Sequence, residues 1–155
     1  MPQAQALEQL QARVGEEIHV SDWLLVTQDR VEAFAQATGD HQWIHVDRER
    51  ATRESPYKGT IAHGYLTLSL YPLLRGLVDE SAPVYPGIRN VINYGINKLR
   101  FPNAVRTGAR VRAHTTLAAV EEIKGGLQVT ETYTVEVENE TKPACVAELI
   151  MRLYF

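Results

Sequence analysis

Apolar and polar positions change their rhythm twice along the chain, and each change predicts a different kind of element. Ala6, Leu7, Leu10 and Val14 recur at helical spacing before Gly15, which predicts a short N-terminal helix ending at that glycine, an arm over residues 1–15. Val31, Phe34, Ala35 and Ala37 mark one face of a second helix, capped by Thr27 and stopped at Gly39. Asp40 therefore falls just past a helix end. Residues 40–61 are polar and punctuated by Pro56 and Gly59, with one short helical stretch from Arg48 to Thr52 capped by Asp47. An excursion of that length in a compact domain usually carries function. From His63 and Gly64 onward, Leu66, Leu68, Leu70, Leu73 and Leu74 cover most of a helix circumference before Gly76, so this helix is expected to be buried nearly all round.

The rhythm then shifts to alternation. Strands are predicted over Gly87–Phe101, Ala109–Glu122, Leu127–Glu138 and Cys145–Tyr154, with Gly125 and Gly126 as the turn between the second and third. One long apolar helix followed by consecutive long strands leaves the sheet to bury the helix, because no other element covers that face. The expected architecture is α+β: a single hot-dog domain over residues 1–155, an antiparallel sheet wrapped around a long central apolar helix.

Composition fits this reading. At 155 residues the chain is long enough to bury roughly two thirds of the surface it exposes unfolded. With 45% hydrophobic and 23% charged residues and a formal charge of −3, it does not suggest a nucleic-acid partner. Cys145 has no second cysteine to pair with, which removes an intrachain disulfide or a CxxC site and points to a reducing, cytoplasmic setting. Neither a signal-type leader nor an apolar run of about eighteen residues is found, so no membrane association is expected.

The segment GDHQWIHVD places Asp40 and His45 with four residues between them, a carboxylate and an imidazole on a stretch free to turn both into one cavity. Adding water across a double bond conjugated to a thioester requires one group that takes a proton from water and one that delivers a proton to the alpha carbon, and this pair supplies both. An aspartate after a helix-ending glycine is also an ordinary turn residue, and a loop histidine an ordinary polar group. A second segment, GTIAHGYLTLSL, puts Gly64 at the first turn of the apolar helix. Its backbone N–H is open to a developing oxyanion, an interaction of about 3 kcal/mol; close helix packing is the plainer reading. Ser69, farther along the helix, either orients a catalytic side chain or bonds a carbonyl one turn earlier.

These two segments, followed by YGINKLRFPNAVRTGARVRA, resemble the MaoC-like (R)-specific enoyl-CoA hydratases, and the nodulation-protein-N-like branch in particular, from Ser21 to the C-terminus. The resemblance implies that Asp40 and His45 hold and activate the water. It further implies that the region of Gly64 receives the thioester carbonyl, and that Ser69 supports the site. Many relatives carry Asn-Pro between the catalytic pair where this chain has Gln42-Trp43. The activity implied is reversible hydration of a trans-2-enoyl thioester to the (R)-3-hydroxyacyl thioester. No metal or redox cofactor is called for, coenzyme A being part of the substrate.

Other residues admit two readings. Asn93, Gly95 and Asn97 fall on one face of the Val91–Phe101 strand, with Tyr94, Ile96, Lys98 and Arg100 on the other. Asn97 either supports the active-site loop or is a structural amide, and Lys98 and Arg100 either meet coenzyme A phosphates or form a solvated face. His63 sits at the mouth of the carbonyl site as a substrate contact or as a polar residue at a helix start. Trp43, Tyr57 and Tyr65 line an acyl tunnel or simply pack. His19, His41 and His114 lack metal-ligand spacing. A single hot dog leaves one sheet edge open, so a homodimer is expected. An acyl-CoA thioesterase and a non-catalytic module binding acyl-CoA or an acyl carrier protein are the rival readings.

Overall fold

Alternation in the C-terminal half is realised residue by residue: along β6 (Cys145–Tyr154) every second side chain is buried. The computed structural model describes residues 2–155. β6 pairs with β5 (Gly126–Val137), β5 with β4 (Arg110–Ile123), and β6 on its other side with β3 (Asn90–Arg100). Two short strands absent from the sequence reading, β1 (Glu17–Val20) and β2 (Leu24–Leu25), add to β4. All pairs are antiparallel, in the order β1-β4-β5-β6-β3, so β3 is an edge. The turn between β4 and β5 falls on Lys124 and Gly125, one residue earlier than expected, with Ile123 already opposite Gly126.

Against the inner face of the sheet lie α5 (Gly64–Ser69) and α6 (Tyr71–Arg75), the observed form of the predicted central helix. Pro72 supplies no N–H to the carbonyl four residues back, and the helix is interrupted at Leu70. Nor is it buried all round. Leu66, Leu70, Tyr71 and Leu74 are enclosed, whereas Tyr65 is 67% and Leu73 48% exposed, because the sheet of one chain covers only one side. The enclosed leucines pack with Val111, Leu117, Tyr133, Val135 and Met151 and contribute about 1.5–3 kcal/mol each. This is the hot-dog arrangement. Among the described residues no helix is long and apolar enough to cross a membrane.

The N-terminal helix α1 (Pro2–Gln11) stops before Gly15, and Ala6, Leu7 and Leu10 pack against the core while Val14 stays outside. In α2 (Gln28–Thr38), Thr27 caps the Arg30 N–H at 3.1 Å and Gly39 closes the helix at φ 81°, a left-handed conformation natural to glycine. Val31 and Ala35 are buried, but Ala37 faces solvent. Asp47 caps α4 (Arg48–Glu54) as expected, and an additional turn, α3 (Trp43–Val46), precedes it.

Strict alternation fails along β3. Asn93 pairs with Met151 and Gly95 with Ile150, then Ile96 pairs with Leu149 and Lys98 with Glu148. Tyr94 and Asn97 are therefore extra residues at two bulges, and the inward register becomes Asn93, Ile96, Leu99.

Candidate active site

Three backbone features bring the site together. Gly39 ends α2 and releases the chain at Asp40, α3 turns His45 inward until it is only 8% exposed, and α5 begins immediately after His63. His45 is tied from several directions. Its Nδ1 lies 2.8 Å from the Ile61 carbonyl, and its own carbonyl accepts the Nε2 of buried Gln28 at 2.8 Å. Gln28 in turn accepts from Thr60, which also contacts Thr107.

The Ile61 contact fixes the tautomer. A carbonyl can only accept, so Nδ1 carries the proton and Nε2 keeps its lone pair. Burial holds the imidazole below the usual histidine range and outweighs the opposing pull of the Ile61 carbonyl; His63 adds to the lowering and Asp40 works against it. At neutral pH His45 is a neutral ring with a free base nitrogen.

Asp40 is half-exposed. Its Oδ1 accepts the Gln42 N–H at 3.3 Å and its Oδ2 lies 3.9 Å from His63 Nε2. His63 is not at the mouth of the site, as the sequence suggested. It is buried, bonded through Nε2 to the Asp40 carbonyl at 2.9 Å, and stacked on His45 with ring centroids 3.8 Å apart and planes 23° from parallel. Ligand-type atoms of Asp40, His45 and His63 all lie within 4.8 Å of one another. The two rings are stacked, and each is oriented by one nitrogen on a backbone carbonyl.

Gly64 opens α5, where first-turn N–H groups lack helical partners. A Cβ there would lie 3.0–3.1 Å from carbons of the Phe101 ring, so any larger residue would press on that ring. Ser69 is exposed and donates to the Tyr65 carbonyl at 2.6 Å, the local alternative of its two readings. It lines a cavity of about 420 Å³ between the central helix and β3, with Leu68, Pro72, Asn93 and Ile96. Asn97 donates to Glu148 on β6 at 2.7 Å, Arg100 to the Leu99 carbonyl at 2.7 Å, and Lys98 is exposed; among the described residues none of them bonds to Asp40 or His45. Trp43 is half-buried under the Arg50 guanidinium, 4.4 Å above its ring, and Tyr65 meets the Phe101 ring edge-on.

A model of the MaoC like domain matches residues 9–139. The chain belongs to the MaoC-like family. One relative of this MaoC-like chain is the 3-hydroxyacyl-thioester dehydratase Z of Mycobacterium tuberculosis, 49% identical over 149 residues that cover 96% of this chain and 95% of the relative. Nodulation protein N of Rhizobium leguminosarum bv. viciae is 41% identical, over 97% of this chain and 92% of its own length. Among solved structures, the (R)-hydratase from A. caviae involved in PHA biosynthesis superimposes with a TM-score of 0.67 at 25% identity, covering 88% of this chain and 97% of that one.

Two groups of contacts escaped the sequence reading. Gln28 went unremarked and His63 was read only as a substrate contact or a helix-start residue, whereas the fold bonds Gln28 to His45 and His63 to Asp40. The other group is Glu131, fully buried on β5, which accepts Tyr71 and Tyr85 hydroxyls and pairs with Arg75 at 3.1 Å. A signal for it existed: Glu131 occupies an inward position of the Val129, Tyr133, Val135 alternation.

Proposed function

We propose that this protein is a hydro-lyase that reversibly hydrates a trans-2-enoyl thioester, of coenzyme A or of an acyl carrier protein, to the (R)-3-hydroxyacyl thioester. The observation that carries the reading is the tautomer of His45, which leaves Nε2 unprotonated on a ring with a nitrogen within 4.8 Å of an Asp40 carboxylate oxygen. A water held between them loses a proton to His45 as its oxygen bonds to the beta carbon. The electrons of the carbon–carbon double bond move toward the thioester carbonyl, and the pair returns a proton to the alpha carbon. Water is thereby added and the enzyme regenerated, with no change of oxidation state and no cofactor invoked.

The Gly64 N–H, at the first turn of α5, would stabilise the enolate oxygen, and the adjoining cavity would take the acyl chain. The dehydratase and hydratase names of the relatives support the reaction class, and the likeness to the A. caviae (R)-hydratase supports the (R) product. Ser69, Asn97 and Arg100 receive no catalytic part in this reading, their bonds being local or directed to β6, and neither does the exposed Lys98.

The exposed edge of β3, which carries Ile92, Tyr94 and Ile96 outside the core, supports pairing of two chains into a homodimer. The test is loss of enoyl absorbance with crotonyl-CoA and longer trans-2-enoyl-CoA substrates, with product chirality determined. Wild type is expected to give the (R) product, and Asp40→Asn and His45→Ala to fall by about 10²–10⁴ while remaining folded. Thiol release without double-bond loss would replace this reading with a thioesterase.

A further inference from the structure

His63 is a buried side chain that touches both members of the proposed catalytic pair. Its Nε2 donates to the Asp40 carbonyl across 23 residues of sequence, and its ring lies against the His45 ring. Its own carbonyl accepts the N–H groups of Leu66 and Thr67, at 3.0 and 3.2 Å, and so begins the helix whose first residue is Gly64. Phe34 of α2 braces the other side, with ring centroids 4.9 Å apart.

Asp40 depends on this contact more than His45 does. The remaining bonds of its segment are local: Gly39 N–H to the Ala35 carbonyl, His41 N–H to the Gly39 carbonyl, and Gln42 N–H to the Asp40 carboxylate itself. His45, by contrast, is anchored by Ile61 and Gln28 as well. His63 Nδ1 is buried without a hydrogen-bond partner. A ring present only to fill space would bury no such atom.

We infer that His63 is the positioning residue of the site, fixing Asp40 relative to His45 and both relative to the helix start at Gly64; the inference rests on the hydratase reading above. His63 is 3% exposed and acts through its neighbours, so its loss should misalign the reacting groups without weakening substrate binding. Two substitutions separate its contributions. His63→Phe keeps an aromatic ring against His45 and removes the donor to Asp40, whereas His63→Gln restores a donor near the Nε2 position.

The experiment measures kcat and KM of the full chain and both variants with crotonyl-CoA, alongside circular dichroism. His63→Phe should lower kcat about 10- to 100-fold with little change in KM, and His63→Gln should recover to within about tenfold of wild type. A folded His63→Phe with wild-type kcat overturns the assignment, as does a folded His63→Gln no better than the phenylalanine variant. Should the variants not fold, the wild type decides the matter by imidazole ¹H–¹⁵N spectroscopy. A proton on His63 Nε2 coupled to the Asp40 carbonyl carbon supports the assignment, and its absence overturns it. A wild type inert toward every enoyl thioester, with that coupling present, sinks the hydratase reading and with it any catalytic role; an active wild type with an indifferent His63→Phe sinks the positioning role alone.

Discussion

His45 donates its Nδ1–H to the carbonyl of Ile61 over 2.8 Å, a bond that decides which nitrogen is left to act as a base. Burial lowers the affinity of that ring for a second proton, so its folded-state pKa lies below the usual 6.5. The acid limb of kcat/KM for hydration is therefore expected at a pH below 6.5, to be read from a rate profile between about pH 5 and 8. Stability follows the same sign. A histidine with a depressed folded pKa contributes stability that is present above 6.5 and is lost as the pH falls through the folded value, because the unfolded chain binds the proton first. An acid limb above 6.5 would contradict the buried, neutral ring.

The contact between Gly64 and Phe101 makes a separate forecast. A methyl group at Gly64 would press on ring carbons 3.0–3.1 Å away, so Gly64→Ala should cost about 1–3 kcal/mol in urea unfolding. Adding Phe101→Leu should return part of that loss, giving a positive coupling in the double-mutant cycle. Strict additivity would mean that the ring is not the obstacle.

Much of this molecule is legible in one dimension, and the exceptions have specific causes. The long strands, the Thr27 and Asp47 caps and the Gly39 stop follow from local rules of period and turn chemistry, which act within a few residues. Asp40 and His45 were visible as a pair because five residues carry them to one place. Their supports were not, since Gln28, Ile61 and His63 reach the pair from other elements through contacts that no spacing encodes. On β3 each bulge inserts one residue and exchanges the faces, so a reading in twos misassigns Ile96 to the outer side. Pro72 shortened the central helix for a reason the sequence does state, the missing N–H, but a dense run of leucines masked it.

Glu131 and Arg75 form a buried ion pair reinforced by the Tyr71 and Tyr85 hydroxyls. Burial, followed by the Glu131 carboxylate, pushes both phenols well above the usual tyrosine range, so they remain donors. Glu131→Ala would strand the Arg75 guanidinium in the core, at an expected cost of about 3–5 kcal/mol and a fall in Tm of roughly 10 °C. Combined with Arg75→Met, the loss should be smaller than for Glu131→Ala alone, as measured by thermal unfolding. A double variant less stable than the single one would show that the cluster contributes more than mutual neutralisation.

The edge strand offers the test of assembly. β3 is paired on one side only, and along it Ile92, Tyr94 and Ile96 are 47%, 55% and 45% exposed. Apolar side chains beside a row of unpaired backbone groups invite a second copy, and antiparallel pairing of two β3 strands would close both edges at once. Ile96 shares the inward register with Asn93 and Leu99, so at such a seam it would face the partner from the helix side of the sheet. A lysine at this position places a charge where the partner would desolvate it. Ile96→Lys is expected to weaken dimerisation about thirtyfold or more, seen by sedimentation as a shift toward monomer, with the fold of each chain retained. Because Asp40 and His45 obtain their bonds within one chain, a monomeric Ile96→Lys that keeps its activity would locate the whole chemistry in a single protomer; one that loses it would place part of the substrate site across the seam.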